Sequence, residues 1–222
     1  MVNFGEIYKS ALVIHSEQKL ASRLTSVSEK HQIENMADSY YLSMMSRRIF
    51  RAGLKHSMVD KKWPHFENVF QQFDLDEVRT LSDDDLDLMM QDRGLIRHWG
   101  KLSAMRENAQ VMHDISQNHG SFGRFLAEWK SSEIVKLWYH LKLNFRQLGG
   151  NSAPYFLRMV GKDTFLLTND VLSALKQWDV YEGPGQSMKD REYLQSCFNY
   201  WVKESHRPLC QVSQIMALSV DC

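Results

Sequence analysis

Three observations predict an all-α chain. Apolar residues recur at three- and four-residue spacing along most of the 222 residues. Only four prolines and eleven glycines interrupt that pattern. Alternation of Val, Ile and Thr, the mark of half-buried strands, is scarce. With 43% apolar residues the chain is long enough to bury a core of its own. No repeat, low-complexity tract or Pro/Ser-rich linker divides it, so residues 1–222 read as a single domain, with a bilobed arrangement left open.

The elements follow in order. The first 50 residues carry two or three helices, in "SEQKLASRL" and "IENMADSYYLSMMSRRIF" above all. "AGLKHSMVDKKWPHFENVFQQF" continues as a helix interrupted near Pro64, since a proline suits a first helical turn. "LSDDDLDLMMQD" opens at Ser82, a good N-cap, with acids in the first turn where the helix dipole favours them. In "RGLIRHWGKLSAMRENAQVMHDI" a helix would place Arg93, Arg97 and Lys101 on one face. "GSFGRFLAEW" reads as a turn and a short helix, "TNDVLSALKQW" as another helix, and "DREYLQSCFNYWVKE" as a long terminal one.

Charge is balanced at 27 basic and 27 acidic residues but segregated along the chain. From Asp74 to Asp92 eight acids face one arginine, whereas 47–62 holds Arg47, Arg48, Arg51, Lys55, Lys61 and Lys62 against Asp60 alone. Residues 93–106 and 136–162 are basic without a carboxylate. Such blocks can build a positive face for a polyanion, or they can be solvated helix faces. Three cysteines, Cys197, Cys210 and Cys222, do not make a disulfide framework and fit a reducing compartment. The segment "MVNFGEIYKSAL" has neither a basic n-region nor an apolar h-region, and no run of about 18 apolar residues occurs. The expected location is cytoplasmic, with no membrane partner.

"LGGNSAPYF", residues 148–156, carries the strongest chemical signal. Glycines let the backbone of a tight turn approach another molecule, and the helix that follows presents its first amides outward, an arrangement suited to phosphate. Asn151 tolerates a left-handed backbone, and Pro154 needs no donor near a helix start. About twenty residues on, Asp170 stands at the head of the next helix. A carboxylate there can stabilise cationic sugar as a glycosidic bond breaks, or Asp170 or Asn169 can serve as an N-cap.

This pairing, with Gly149 and Gly150 in the turn and Asp170 behind it, resembles the helix-hairpin-helix DNA glycosylases. "FRAGLKHSMVDKKWPHFENVFQQFDLDEV", "QDRGLIRHWGKLSAMRENAQ", "HGSFGRFLAEW" and "LTNDV" narrow the resemblance to the DNA-3-methyladenine glycosylase I family over roughly residues 40–178. The resemblance implies the helix-hairpin-helix glycosylase fold and monofunctional hydrolysis of the N-glycosidic bond of a flipped, alkylated, 3-methyladenine-like purine in damaged double-stranded DNA, as part of base excision repair. It implies Asp170 as the catalytic carboxylate and Gly149, Gly150, Gly53 and Leu54 as DNA contacts; the turn itself adds Asn151 and Ser152, and the basic helix face adds Arg97 and Lys101. Leu54 would plug the gap left by the flipped nucleotide. The base pocket would be formed by Arg48, His56, Tyr41 and Phe50, with Tyr40 and Trp99 as further stacking candidates, although aromatic residues at helical spacing more often belong to the core.

The sequence departs from that family at several positions. Arg48 occupies the place of the glutamate that reads a cationic base, and no acid lies between Asp38 and Asp60 to replace it. His56 stands where the family has tryptophan, and Val171 where its first C-terminal zinc ligand would follow the aspartate. His206, Cys210 and Cys197 lack a fourth ligand, so neither a metal nor another cofactor is expected. No hairpin lysine is placed for Schiff-base chemistry, and strand cleavage is not expected. A monomeric glycosylase is the leading expectation; a catalytically silent helix-hairpin-helix DNA-binding protein is the alternative.

Overall fold

The computed structural model describes residues 1–220, so Cys222 lies outside the described residues. Among them the fold is all-α: fourteen α-helices and no strand. In chain order these are α1 (Phe4–Ile14), α2 (Glu17–Arg23), α3 (Lys30–Asn35), α4 (Asp38–Arg51), α5 (His56–Val69), α6 (Leu75–Arg79) and α7 (Asp83–Met89). There follow α8 (Trp99–His119), α9 (Phe122–Glu128), α10 (Ile134–Asn144), α11 (Ser152–Met159), α12 (Asn169–Gln177), α13 (Met188–Ser205) and α14 (Leu209–Leu218). The described residues fall into two compact units, one of residues 1–28, 130–138 and 161–220, the other of residues 29–129 and 139–160.

Local signals account for many of these boundaries. Ser82 caps α7 through a reciprocal box: its hydroxyl accepts from the Asp85 amide while the Asp85 carboxylate accepts from the Ser82 amide. Gly120, at φ 83°, ends α8, and Ser121 begins α9 by accepting from the Arg124 amide. Tertiary packing overrides other signals. Pro64 lies inside α5, not in a first turn, because burial of Val59, Trp63 and Phe66 outweighs the hydrogen bond the proline cannot make. The first 50 residues hold four helices, not two or three, since the backbone at Met36 and Ala37 is extended and splits "IENMADSYYLSMMSRRIF" into α3 and α4.

The unit containing α3–α9 is centred on aromatic rings. Trp63 stacks on Phe66 at 4.9 Å and on Phe73 at 5.5 Å, and Phe50 meets Phe66 edge-on at 4.8 Å. The Trp63 indole donates to Ser43 at 3.0 Å, which satisfies its one buried polar atom. The Asp38 carboxylate receives the Phe122 amide at 2.9 Å and the Ser116 hydroxyl, tying the head of α4 to α8 and α9. The other unit packs α12, α13 and α1 against α14. Its aromatic centre is Phe165, 4.6 Å from Trp138 and 4.4 Å from Phe198. Here the Asp163 carboxylate accepts from the Leu209 and Cys210 amides at 3.0 and 2.9 Å, capping α14 where Pro208 offers no side-chain oxygen.

Candidate nucleic-acid interface

The turn between α10 and α11 is built from the core outward. Phe145 and Leu148 are buried and anchor it, while Gly149 and Gly150 stand exposed. Gln147, at φ 63°, and Gly150, at φ 60°, supply the left-handed residues. Asn151, expected to tolerate that conformation, instead has φ −92° because its neighbour already makes the reversal. The Ser152 amide closes the turn on the Gly149 carbonyl at 3.0 Å, and its side chain is buried, which corrects its assignment as a DNA contact. Pro154 is the third residue of α11, inside the first turn where a missing donor costs nothing.

A residue the sequence did not flag holds this turn in place. Asn108, 1% exposed on α8, accepts from the Arg146 amide at 2.7 Å and donates to the Arg146 carbonyl at 3.1 Å. Nothing in its local pattern distinguishes it from any other helix position. Beside the turn an open groove of ≈ 670 Å³ is lined by Lys142, Asn144, Arg146, Gln147, Gly149 and Glu107. Arg146 is engaged by Glu107 at 2.7 Å.

A second exposed turn belongs to the same unit. At the end of α4, Gly53 takes φ 78°, Leu54 is half-buried and His56 is exposed as the first residue of α5. A Cβ on Gly53, Gly149 or Gly150 would meet nothing within 4 Å, so all three backbones face open space. Lys101, expected on a DNA-facing stripe, is 9% exposed and donates to the Ala52 carbonyl at 2.8 Å and the Phe50 carbonyl at 3.4 Å. It neutralises the carboxyl end of α4 and is removed from the contact surface. Burial, and then the charge of Arg48, push its pKa below the ordinary lysine value.

The predicted charged stripe dissolves for a related reason. Arg93 and Arg97 precede α8 in irregular backbone, so they share no helix face with Lys101. That loop is pinned by Lys62, which donates to the carbonyls of Arg93, Gly94 and Leu95 at 2.7, 3.0 and 3.2 Å. Arg97 remains exposed. Arg47 and Arg51 converge on Asp60, with Arg51 reaching both carboxylate oxygens at 2.6 and 2.7 Å.

Of the expected base-pocket residues, Tyr41 and Phe50 are fully buried and belong to the core; the Tyr41 hydroxyl donates to the Ile33 carbonyl. Tyr40 packs edge-on to Tyr41, while Trp99 is 39% exposed at the head of α8. Arg48 is different. Its guanidinium carbon lies 4.6 Å from the centre of the Tyr155 ring, and its Nε is buried without a hydrogen-bond partner. Burial pulls its pKa below the usual arginine range, with Tyr155 opposing the shift and Arg51 adding to it. Tyr155, the fourth residue of α11, was not singled out from the sequence, although it lies within the glycine-turn segment itself.

In the other unit, Thr168 is the N-cap of α12, accepting from the Val171 amide at 3.2 Å. Neither Asn169 nor Asp170 serves as the cap, and Asp170 stands exposed in the first turn at the positive end of the helix. Cys197 and Cys210 are buried, and burial pushes the Cys197 thiol up. Among the described residues no group of three or more His, Cys, Asp or Glu is placed to hold a metal ion.

The methyladenine glycosylase family pattern matches residues 12–145, which stops short of the glycine turn and of Asp170. DNA-3-methyladenine glycosylase 1 of Escherichia coli (strain K12) is 36% identical over 76 residues, 34% of this chain and 41% of that protein. The DNA-3-methyladenine glycosylase of Haemophilus influenzae is 36% identical over 75 residues, 32% of this chain and 40% of that protein. The aligned stretch thus spans about two fifths of these relatives. A crystal structure of 3-methyladenine DNA glycosylase I is similar with a TM-score of 0.52 at 23% identity, covering 64% of this chain and 86% of the other. A mutant of 3-methyladenine DNA glycosylase I from Staphylococcus aureus gives a TM-score of 0.52 at 19% identity over 69% and 91% of the two chains. At these identities the likeness concerns the fold.

Proposed function

The chain belongs to the methyladenine glycosylase family, and from that premise we propose that it is a monofunctional DNA N-glycosylase of base excision repair, excising an alkylated purine from damaged duplex DNA. The observation that carries this reading is the pair of exposed glycine turns in one unit, at Gly53–Leu54 and Gly149–Gly150. The second lets a sugar-phosphate strand approach the backbone, with Asn151 at the head of α11. The first lets Leu54 enter the stack where the nucleotide has left. Arg97 contributes positive charge, and Arg48 and His56 flank the extruded base.

In the reaction the C1′–N bond breaks with its electron pair going to the base. A water oxygen bonds to C1′ and releases a proton, which is taken up by the departing base if that base was uncharged and by solvent if it was cationic. Asp170, exposed and relieved of capping by Thr168, stabilises the positive sugar or orients that water. The protein acts as a cytoplasmic monomer; no helix among the described residues is long and apolar enough to cross a membrane.

Asp170→Asn tests the assignment. Base release from methylated duplex DNA should fall about 10²-fold or more, while melting temperature and affinity for abasic-site DNA hold. Undiminished release would remove Asp170 from the chemistry. One observation favours a second reading, a DNA-binding protein without turnover: Arg48 occupies the position at which the resemblance implies a base-reading glutamate. Tight, salt-dependent binding with no release from any duplex would select that alternative.

A further inference from the structure

The guanidinium of Arg48 is half-buried, and no carboxylate among the described residues pairs with it. The one acid in its stretch of sequence, Asp60, is held by Arg47 and Arg51. Lys101, whose charge also bears on Arg48, spends its donors on the carbonyls that end α4. On the same helix the Ser46 hydroxyl is buried without a partner, as is the Arg48 Nε. Leaving charged and polar groups unpaired at such depth is costly, and an arginine does not escape by losing its proton. The two terminal nitrogens of Arg48 are not among these buried atoms, and they are the donors an incoming group can reach.

The place of Arg48 indicates what arrives. α4 leads directly into the Gly53–Leu54 turn, and Tyr155 lies in the first part of α11, just beyond the Gly149–Gly150 turn. The stacked pair therefore joins the two helices whose exposed ends are the proposed DNA contacts. With its guanidinium carbon 4.6 Å from the ring centre, the side chain rests on Tyr155, which limits where its fork of donors can go. Such a fork matches the O6 and N7 acceptors of a purine edge. A cationic base brought to the same point meets like charge in a poorly solvated site.

Resting on the glycosylase reading, we propose that Arg48, backed by Tyr155, is the specificity-determining residue of the base-receiving site. It selects an uncharged purine lesion that keeps its N7/O6 acceptors and rejects purines carrying a positive charge. This separates the chain from enzymes built around a cationic 3-methylated adenine.

The test compares two lesions of one parent base in duplexes stabilised against cleavage by a 2′-fluoro sugar. O6-methylguanine is neutral and keeps both acceptors; 7-methylguanine is cationic and has lost N7. The protein should bind the first at least about tenfold more tightly than the second. Arg48→Met, which keeps an apolar stem over Tyr155, should erase the preference, and Arg48→Glu should reverse it, with melting curves confirming that each variant folds. A ratio near one in the parent, or the same ratio in parent and Arg48→Met, overturns the proposal. In that event, base release from methylated DNA that is lost in Asp170→Asn would leave the glycosylase reading standing. Absence of affinity for these duplexes and for abasic-site DNA would overturn both.

Discussion

Two adjacent glycines offer a substitution pair in which folding and binding move in different directions. Gly150 has φ 60° and Gly149 lies outside the left-handed region, yet a Cβ at either position meets nothing within 4 Å. Alanine at 150 therefore carries a backbone cost of about 1–2 kcal/mol with no steric component. At 149 it carries no such cost, and it removes freedom from the unfolded chain, an effect of about 0.4–1 kcal/mol in favour of the fold. With a response of about 2–4 °C per kcal/mol for a chain of this size, Gly150→Ala should melt several degrees below parent and Gly149→Ala at or above it. If a phosphate strand lies against this turn, a methyl group at either site intrudes on it. Both variants should then lose about tenfold or more in affinity for an abasic-site duplex, measured by fluorescence anisotropy at fixed salt. A Gly149→Ala protein that melts normally and binds like the parent refutes the assignment of the turn. Equal melting shifts in the two variants refute the conformational argument.

Two further predictions concern the unit that holds the turns. A Cβ on Gly123 would lie 2.3 Å from the Ile33 carbonyl oxygen and 3.1 Å from that of Glu34, both backbone atoms of α3. Gly123→Ala should therefore destabilise by about 1–3 kcal/mol or more in chemical denaturation, and an unchanged midpoint would contradict so close an approach of α3 and α9. For Asp60, burial alone would raise the pKa, but the hydrogen bonds and charges of Arg51 and Arg47 together hold it below the ordinary aspartate value of 3.8. Its stabilisation is thus present above the unfolded value and disappears as pH falls through the lower folded one. Asp60→Asn should cost about 1 kcal/mol at neutral pH and flatten the acid limb of the stability profile below about pH 4; an identical acid limb would show the pair to be inert.

Features whose cause lies within a few residues were legible in the chain itself. The all-α class, the Ser82 cap, the stop at Gly120 with the restart at Ser121, and the glycine turn before α11 each follow from local backbone preference and the hydrogen bonds available nearby. The segments that carry the family resemblance are likewise contiguous. Depth is a different quantity. Lys101 reads as a surface cation until the end of α4 is seen to supply its acceptors, and the sequence leaves Tyr41 and Phe50 between stacking and core until other rings close over them. Asn108 acquires its role from a turn formed much later in the chain.

The sequence alone determined which segments coil, where several of them begin and end, and that Arg48 has no neighbouring acid within its own stretch. Only the tertiary structure decided that the nearby acid is occupied by other arginines, that Tyr155 lies beneath the guanidinium, and that Thr168 leaves Asp170 uncapping and exposed. Local conformation depends on neighbours along the chain, whereas burial and charge pairing depend on what distant segments bring into contact, and that is settled when the cores close.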